Sequence, residues 1–186
     1  MLQRCFIALE PPAPVEKCLR ERLAAFSTNP QVKWVPPQNL HLTMLFLGDT
    51  ESSLIPDIAT AMQQRASEYE APQLSLRGLE LFPSREPRMV WASLVSQGDA
   101  VFVLRKSLLK DARAIGCQPD AKPLKLHITL GRMKAQLPAW LQDGIITSPV
   151  DSAFLDYERL TLYRSVSRPE GPTYHILHQV IINTRR

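Results

Sequence analysis

The sequence predicts an α+β fold: two antiparallel β-sheets face a central cleft, related by a pseudo-twofold, with helices on the outside. Three observations carry that prediction. The triplet His-x-Thr occurs twice, as His41-Leu42-Thr43 and His127-Ile128-Thr129, close to half the chain apart. Each copy follows a helical pattern and a turn, and apolar strand-forming residues flank it. Sixteen prolines against seven glycines point to many short elements joined by stiff connections. The 186 residues suit one bilobal domain, residues 1–186, with room for a core. Its lobes would carry Leu40 to Leu47 and Leu124 to Arg132.

The elements follow in order. Arg4 to Leu9 is apolar and β-favouring, a buried strand. Pro14 suits the first turn of a helix to about Phe26, with Val15, Cys18, Leu19, Leu23 and Phe26 on one face. Val32 to Val35 is a short strand, and Pro36-Pro37 turns the chain into the strand Leu40 to Leu47, which Gly48 ends. A second helix spans roughly Ser53 to Tyr69, with Pro56 in its first turn. Leu74 to Phe82 and Met89 to Val95 read as a hairpin. Asp99 is placed to cap a helix whose apolar positions are Val101, Leu104, Leu108, Ala112 and Ile115, and Gly116 to stop it. Leu124 to Arg132 is the strand of the second motif. A segment near Trp140 has no clear pattern, and strands follow at Phe154 to Ser165 and Tyr174 to Asn183.

Composition excludes several classes. With 45% hydrophobic and 22% charged residues, usage is that of an ordinary globular protein. No apolar run approaches the ~20 residues of a membrane-spanning helix. The stretch Met1 to Glu10 is too short and too soon interrupted for a secretory signal. Cys5, Cys18 and Cys117 are odd in number and widely spaced, which fits a reducing cytoplasm better than a disulfide framework or a zinc site. A net charge of +4 is compatible with an anionic partner.

The duplicated motif carries the chemistry. Residues i and i+2 of a strand share a face, so His41 lies beside Thr43 and His127 beside Thr129, while Leu42, Met44, Ile128 and Leu130 turn to the core. Two of the four histidines acquire a Thr at i+2 by chance with a probability of about 1–2%, so coincidence is a poor explanation. His175 and His178 lack the pattern and are assigned to structure. Imidazole titrates near neutrality, so one ring can take a proton from water while another hands one to a departing sugar oxygen. Each Thr hydroxyl can donate to a non-bridging phosphate oxygen. Arg132 lies three residues past Thr129, on the opposite face unless a bulge intervenes; substrate contact and pairing with an acidic residue are equally open to it. Neither motif has an acidic residue within its strand or the helical His spacing common in zinc hydrolases, which favours acid–base chemistry without a metal. No Gly-rich phosphate loop or Walker-type Lys is present.

Two His-x-Thr-hydrophobic tetrads in one small chain resemble the 2H phosphoesterase superfamily. The stretch Trp34 to Gly48, WVPPQNLHLTMLFLG, is similar to its bacterial and archaeal RNA 2′,3′-cyclic phosphodiesterase branch, historically called 2′-5′ RNA ligase. Further matches are Arg4 to Leu9, Val90-Trp91, Leu162 to Ser165 and Gly171 to Tyr174. The resemblance implies a bilobal fold with the tetrads facing each other, and opening of a terminal 2′,3′-cyclic phosphate to a 2′-phosphate without ATP, metal or other cofactor. It also implies His41 as proton donor and His127 as proton acceptor, with Thr43 and Thr129 on the phosphate; the motifs themselves are too alike to divide the roles. Met44 stands where Leu is common, a harmless exchange toward the core.

The expected partner is RNA with a 2′,3′-cyclic end, such as tRNA fragments or small oligonucleotides, acted on by a monomer. Lys122, Lys125, Arg132, Arg164 and Arg168 could track its backbone. Trp34, Trp91 and Tyr174 could stack a base, although packing is preferred for both tryptophans. The loop Ser167 to Pro172 is the preferred cleft-edge contact. Two rival functions use the same residues: joining of a 2′,3′-cyclic end to a 5′-hydroxyl, and RNA binding without catalysis.

Overall fold

A computed structural model describes residues 1–148, 150, 152–168 and 171–184. Strand β1 (Leu2–Leu9) buries every side chain from Cys5 to Leu9. Such a run has no solvent face to alternate against and belongs in the middle of a sheet. It lies between β3 (Leu42–Glu51) and β8 (Arg159–Val166), and β9 (Thr173–Ile181) completes the order β3-β1-β8-β9. The second sheet runs β2-β6-β5-β4-β7, from β2 (Val32–Trp34), β6 (His127–Met133), β5 (Met89–Ser96), β4 (Gln73–Phe82) and β7 (Leu155–Asp156). The strand pairings within both sheets are antiparallel. Each sheet takes strands from both halves of the chain, because β2 crosses to the second sheet and β8 and β9 return to the first.

Among the described residues, four α-helices cover the sheets. In α1 (Ala13–Ala24), Pro14 sits in the first turn and Val15, Leu19 and Leu23 are buried at i, i+4, i+8. The same spacing buries Ile58, Met62 and Ala66 of α2 (Ile55–Glu68). Helix α2 packs against α3 (Ala100–Ile115) and β9, and α3 against β3. Arg65 of α2 ties the two helices together through Nε and Nη2 bonds of 2.7 and 2.9 Å to the Asp111 carboxylate, the bidentate geometry that suits guanidinium. Helix α4 (Ala139–Ile146) covers β4 of the second sheet. One apolar core runs from β1 and β3 through α2 and α3 to β4, β5 and β6.

The structure revises five boundaries. Strand β3 continues past Gly48 to Glu51, because Leu2 to Cys5 pair with it; Gly48 adopts φ 72° and Leu47 bulges out of the ladder. Asp99 occupies the N-cap position of α3 without a side-chain cap bond, whereas Gly116 ends the helix at φ 104°. The expected strand Phe154 to Ser165 is two strands on different sheets, β7 and β8. The second-motif strand begins at His127, where its pairing with Ser93 starts, and the Lys125 carbonyl before it is taken by the His127 side chain. The segment near Trp140 is α4, held by Leu141 and Ile145, while Trp140 itself is exposed.

Candidate active site

The motif strands β3 and β6 come from different sheets and touch each other. Within each, burial alternates as strand geometry requires: Leu42 and Met44 are buried in β3, Ile128 and Leu130 in β6. His41, immediately before β3, and Thr43, His127 and Thr129 are half-buried on the opposite face.

Both rings are held in the same way. Nδ1–H of His41 donates to the Asn39 carbonyl at 2.7 Å, and Nδ1–H of His127 to the Lys125 carbonyl at 2.9 Å. In each case the acceptor is the carbonyl two residues upstream. This bond selects the tautomer that leaves Nε2 free to exchange a proton. Among the described residues, neither Nε2 and neither Thr hydroxyl has an intramolecular hydrogen bond.

Each tetrad ends in a β-bulge. Between β1 and β3 the register steps from Ile7↔Leu45 to Ala8↔Thr43, leaving Met44 unpaired. Between β5 and β6 it steps from Val90↔Gly131 to Trp91↔Thr129, leaving Leu130 unpaired. The extra residue reverses the strand's alternation. The residue three past each Thr therefore returns to the face of that Thr: Phe46 in β3, 51% exposed, and Arg132 in β6. Arg132 thus shares a face with His127 and Thr129. Among the described residues its guanidinium has no acidic partner; its side-chain contact is Met89 Sδ at 3.8 Å, and its charge reaches Tyr174 of the first sheet.

The environments of the two histidines differ. His41 packs against Phe6 at 4.9 Å and meets Tyr174 edge-on, at 5.4 Å and 83°. Burial pushes its pKa down to about 4; the Asn39 bond and Glu10 act upward, and His127 adds to the fall. His127 lies flat on Trp91, at 3.7 Å and 23°. Burial also lowers its pKa, and Lys125 lowers it further, while its bond to the Lys125 carbonyl and the charge of Glu80 act upward. The Glu10 carboxylate is itself anchored, accepting from Thr161, Tyr163 and Gln179 at 2.7–2.8 Å and facing Arg159 at 3.3 Å.

Several other expectations are relocated. The basic residues do not form one cluster. Lys122 pairs with Asp120; Lys125 caps the Phe82 ring at 4.5 Å. Arg164 pairs with Cys5 and His175, on the sheet face opposite Phe6. His178 lies on that same far face, lining a groove of about 440 Å³ against α2 that includes no motif residue. Trp34 serves packing, its Nε1–H donating to the Phe26 carbonyl at 3.1 Å. Pro169 and Glu170, in the expected cleft-edge loop, lie outside the described residues. Among those described, no three His, Cys, Asp or Glu side chains gather as a metal-holding group, and no helix is long and apolar enough to cross a membrane.

Sequence reasoning left the β6 bulge open as a condition on Arg132, and missed the matching bulge in β3, Phe6, Tyr163 and Glu10. Their signals are three-dimensional, since they reach the motifs only through sheet pairing.

Known proteins resemble this chain in sequence and in fold. The family model described as LigT like phosphoesterase matches residues 9–91. An RNA 2′,3′-cyclic phosphodiesterase of Thermus thermophilus is 32% identical over 185 residues, covering 95% of this chain and 88% of its own. Its counterpart in Archaeoglobus fulgidus is 28% identical over 174 residues, covering 92% and 96%. Among solved structures, TT0787 of Thermus thermophilus superposes with a TM-score of 0.80 at 30% identity, covering 98% of this chain and all of that one. Escherichia coli LigT in apo form has the same fold, with a TM-score of 0.72 at 21% identity over 98% and 99% of the two chains.

Proposed function

Because the chain belongs to the LigT-like phosphoesterase family, we propose that it opens the 2′,3′-cyclic phosphate at an RNA end, by paired general acid and base catalysis without a metal. The observation that carries this reading is the matched pair of imidazoles, each locked through Nδ1 to a backbone carbonyl and each with Nε2 free. A site built for one-proton transfers at two places needs that arrangement. We also propose that it acts as a monomer on small RNA ends.

Nε2 of His127 takes a proton from water as its oxygen bonds to phosphorus. Nε2–H of His41 delivers a proton to the 3′ oxygen as the P–O3′ bond breaks, leaving a 2′-phosphomonoester. The division of roles is that of the family resemblance. Thr43 and Thr129 donate to the non-bridging oxygens, whose charge grows in the transition state. Arg132 supplies a positive charge on the same face. Incubation with an oligonucleotide ending in a 2′,3′-cyclic phosphate, with EDTA present, is expected to give a 2′-phosphate. An unopened ring, or a 3′-phosphate, would refute the proposal.

The pH dependence carries a sign. Activity requires His127 neutral and His41 protonated. In the free protein both groups titrate below the ordinary imidazole value, His41 at about 4. The profile of kcat/KM reports the free protein, so its bell is expected to centre on the acid side of about pH 6.5. A bound phosphate anion favours both imidazolium forms, so the kcat bell lies at higher pH. Coincident bells, or the reverse order, would count against a paired mechanism at these residues.

A further inference from the structure

The two motifs are nearly identical as sequence, yet their aromatic surroundings are not. Trp91 holds His127 at 3.7 Å on one side, at an interplanar angle of 23°. Phe82 stacks on it at 3.8 Å and 10°; two rings that close must occupy opposite faces of the indole. Among the described residues His41 has no such partner: its aromatic neighbours stand at 4.9 Å or more, tilted or edge-on.

Trp91 is also an uneconomical choice for filling space. It is 7% exposed, and among the described residues its buried Nε1–H has no hydrogen-bond partner, a destabilising arrangement that a Phe or Leu would avoid. What the indole supplies instead is the most electron-rich π face among side chains, against which a cation is favoured. The stack already meets one cation, Lys125 Nζ, which stands 4.5 Å from the Phe82 centroid and 5.9 Å from that of Trp91.

We infer that Trp91 is a positioning residue for His127, fixing the plane of its ring and stabilising its imidazolium through the indole face. His127 is then the histidine built to bear a positive charge as it forms, and the π contact opposes the burial that disfavours that charge. If His127 takes the proton of water, as proposed above, the contact strengthens as the transition state is approached, which is the condition for raising kcat. The charged and titratable groups that face His127 are Lys125 on its own segment, Glu80 on β4 and His41 at the start of β3, with Arg132 further along the same strand face.

The test is an NMR titration of the histidine Cε1–H signals in the wild type, Trp91→Phe and Trp91→Leu. Loss of the π face is expected to lower the His127 pKa by roughly half to one and a half units in Trp91→Leu. The decrease should be smaller in Trp91→Phe, which keeps a weaker face and guards against a folding defect in the leucine variant. Wider access of water would raise the pKa, so a decrease cannot come from loosened packing. A repeat in the Lys125→Gln background removes the effect of a lysine freed to approach the ring. An unchanged or raised His127 pKa overturns the inference whatever the activity. The kinetic arm rests on the proposed function: kcat should fall in the order wild type, Phe, Leu with KM nearly constant. A lowered pKa with unchanged kcat would leave the stack standing and overturn His127 as the base, so the two failures are distinguishable.

Discussion

His41→Ala and His127→Ala are each expected to lower kcat by on the order of 10²–10⁴-fold on a 2′,3′-cyclic phosphate, the range for loss of a general acid or base. The two losses should not add. The rings serve one transition state, and once one proton transfer fails the other has less to assist. The double variant is therefore expected to sit close to the worse single variant. Each imidazole is held by a hydrogen bond to its own strand's backbone, and both rings are half-buried. Thermal unfolding of both variants should accordingly stay near that of the wild type, separating loss of chemistry from loss of fold. Near-full activity in either variant would end the two-histidine mechanism. Single-turnover measurements would show whether the deficit lies in the chemical step.

Thr43→Val and Thr129→Val are expected to lower kcat by on the order of 10²-fold each, as for a donor aimed at developing negative charge. Valine keeps the branched shape and strand preference and removes only the hydroxyl. Neither hydroxyl bonds within the protein among the described residues, so its removal leaves no internal acceptor stranded. The readout is the partition between kcat and KM. A higher KM at constant kcat would mean that the hydroxyls hold ground-state and transition-state phosphate equally, contrary to the role proposed for them. The effects of the two substitutions should be of similar size, because the two tetrads have the same backbone geometry down to the bulge at the fourth residue.

Much of this molecule follows from local sequence rules. The i, i+4, i+8 spacing of Val15, Leu19 and Leu23, and of Ile58, Met62 and Ala66, gives two helices and their buried faces. The run Cys5 to Leu9 marks a central strand, and period-two alternation puts His41 beside Thr43 and His127 beside Thr129. These are properties of neighbouring residues, and helix and strand periodicity act on neighbours alone.

Other features depend on partners distant in sequence. Nothing in residues 154–166 announces that two strands, β7 and β8, will join different sheets. The bulge after each Thr needs the facing strand, β1 or β5, to define what is unpaired, and it alone turns Arg132 onto the face of Thr129. His-x-Thr by itself thus determined which residue types stand together and on which side of their strands. The tertiary structure decided that the two strands touch, which charges reach each ring, and that Trp91 lies under His127 while His41 has no comparable partner. Duplicated triplets offer two equal imidazoles; only their packing, through burial and an aromatic face, makes them different acids.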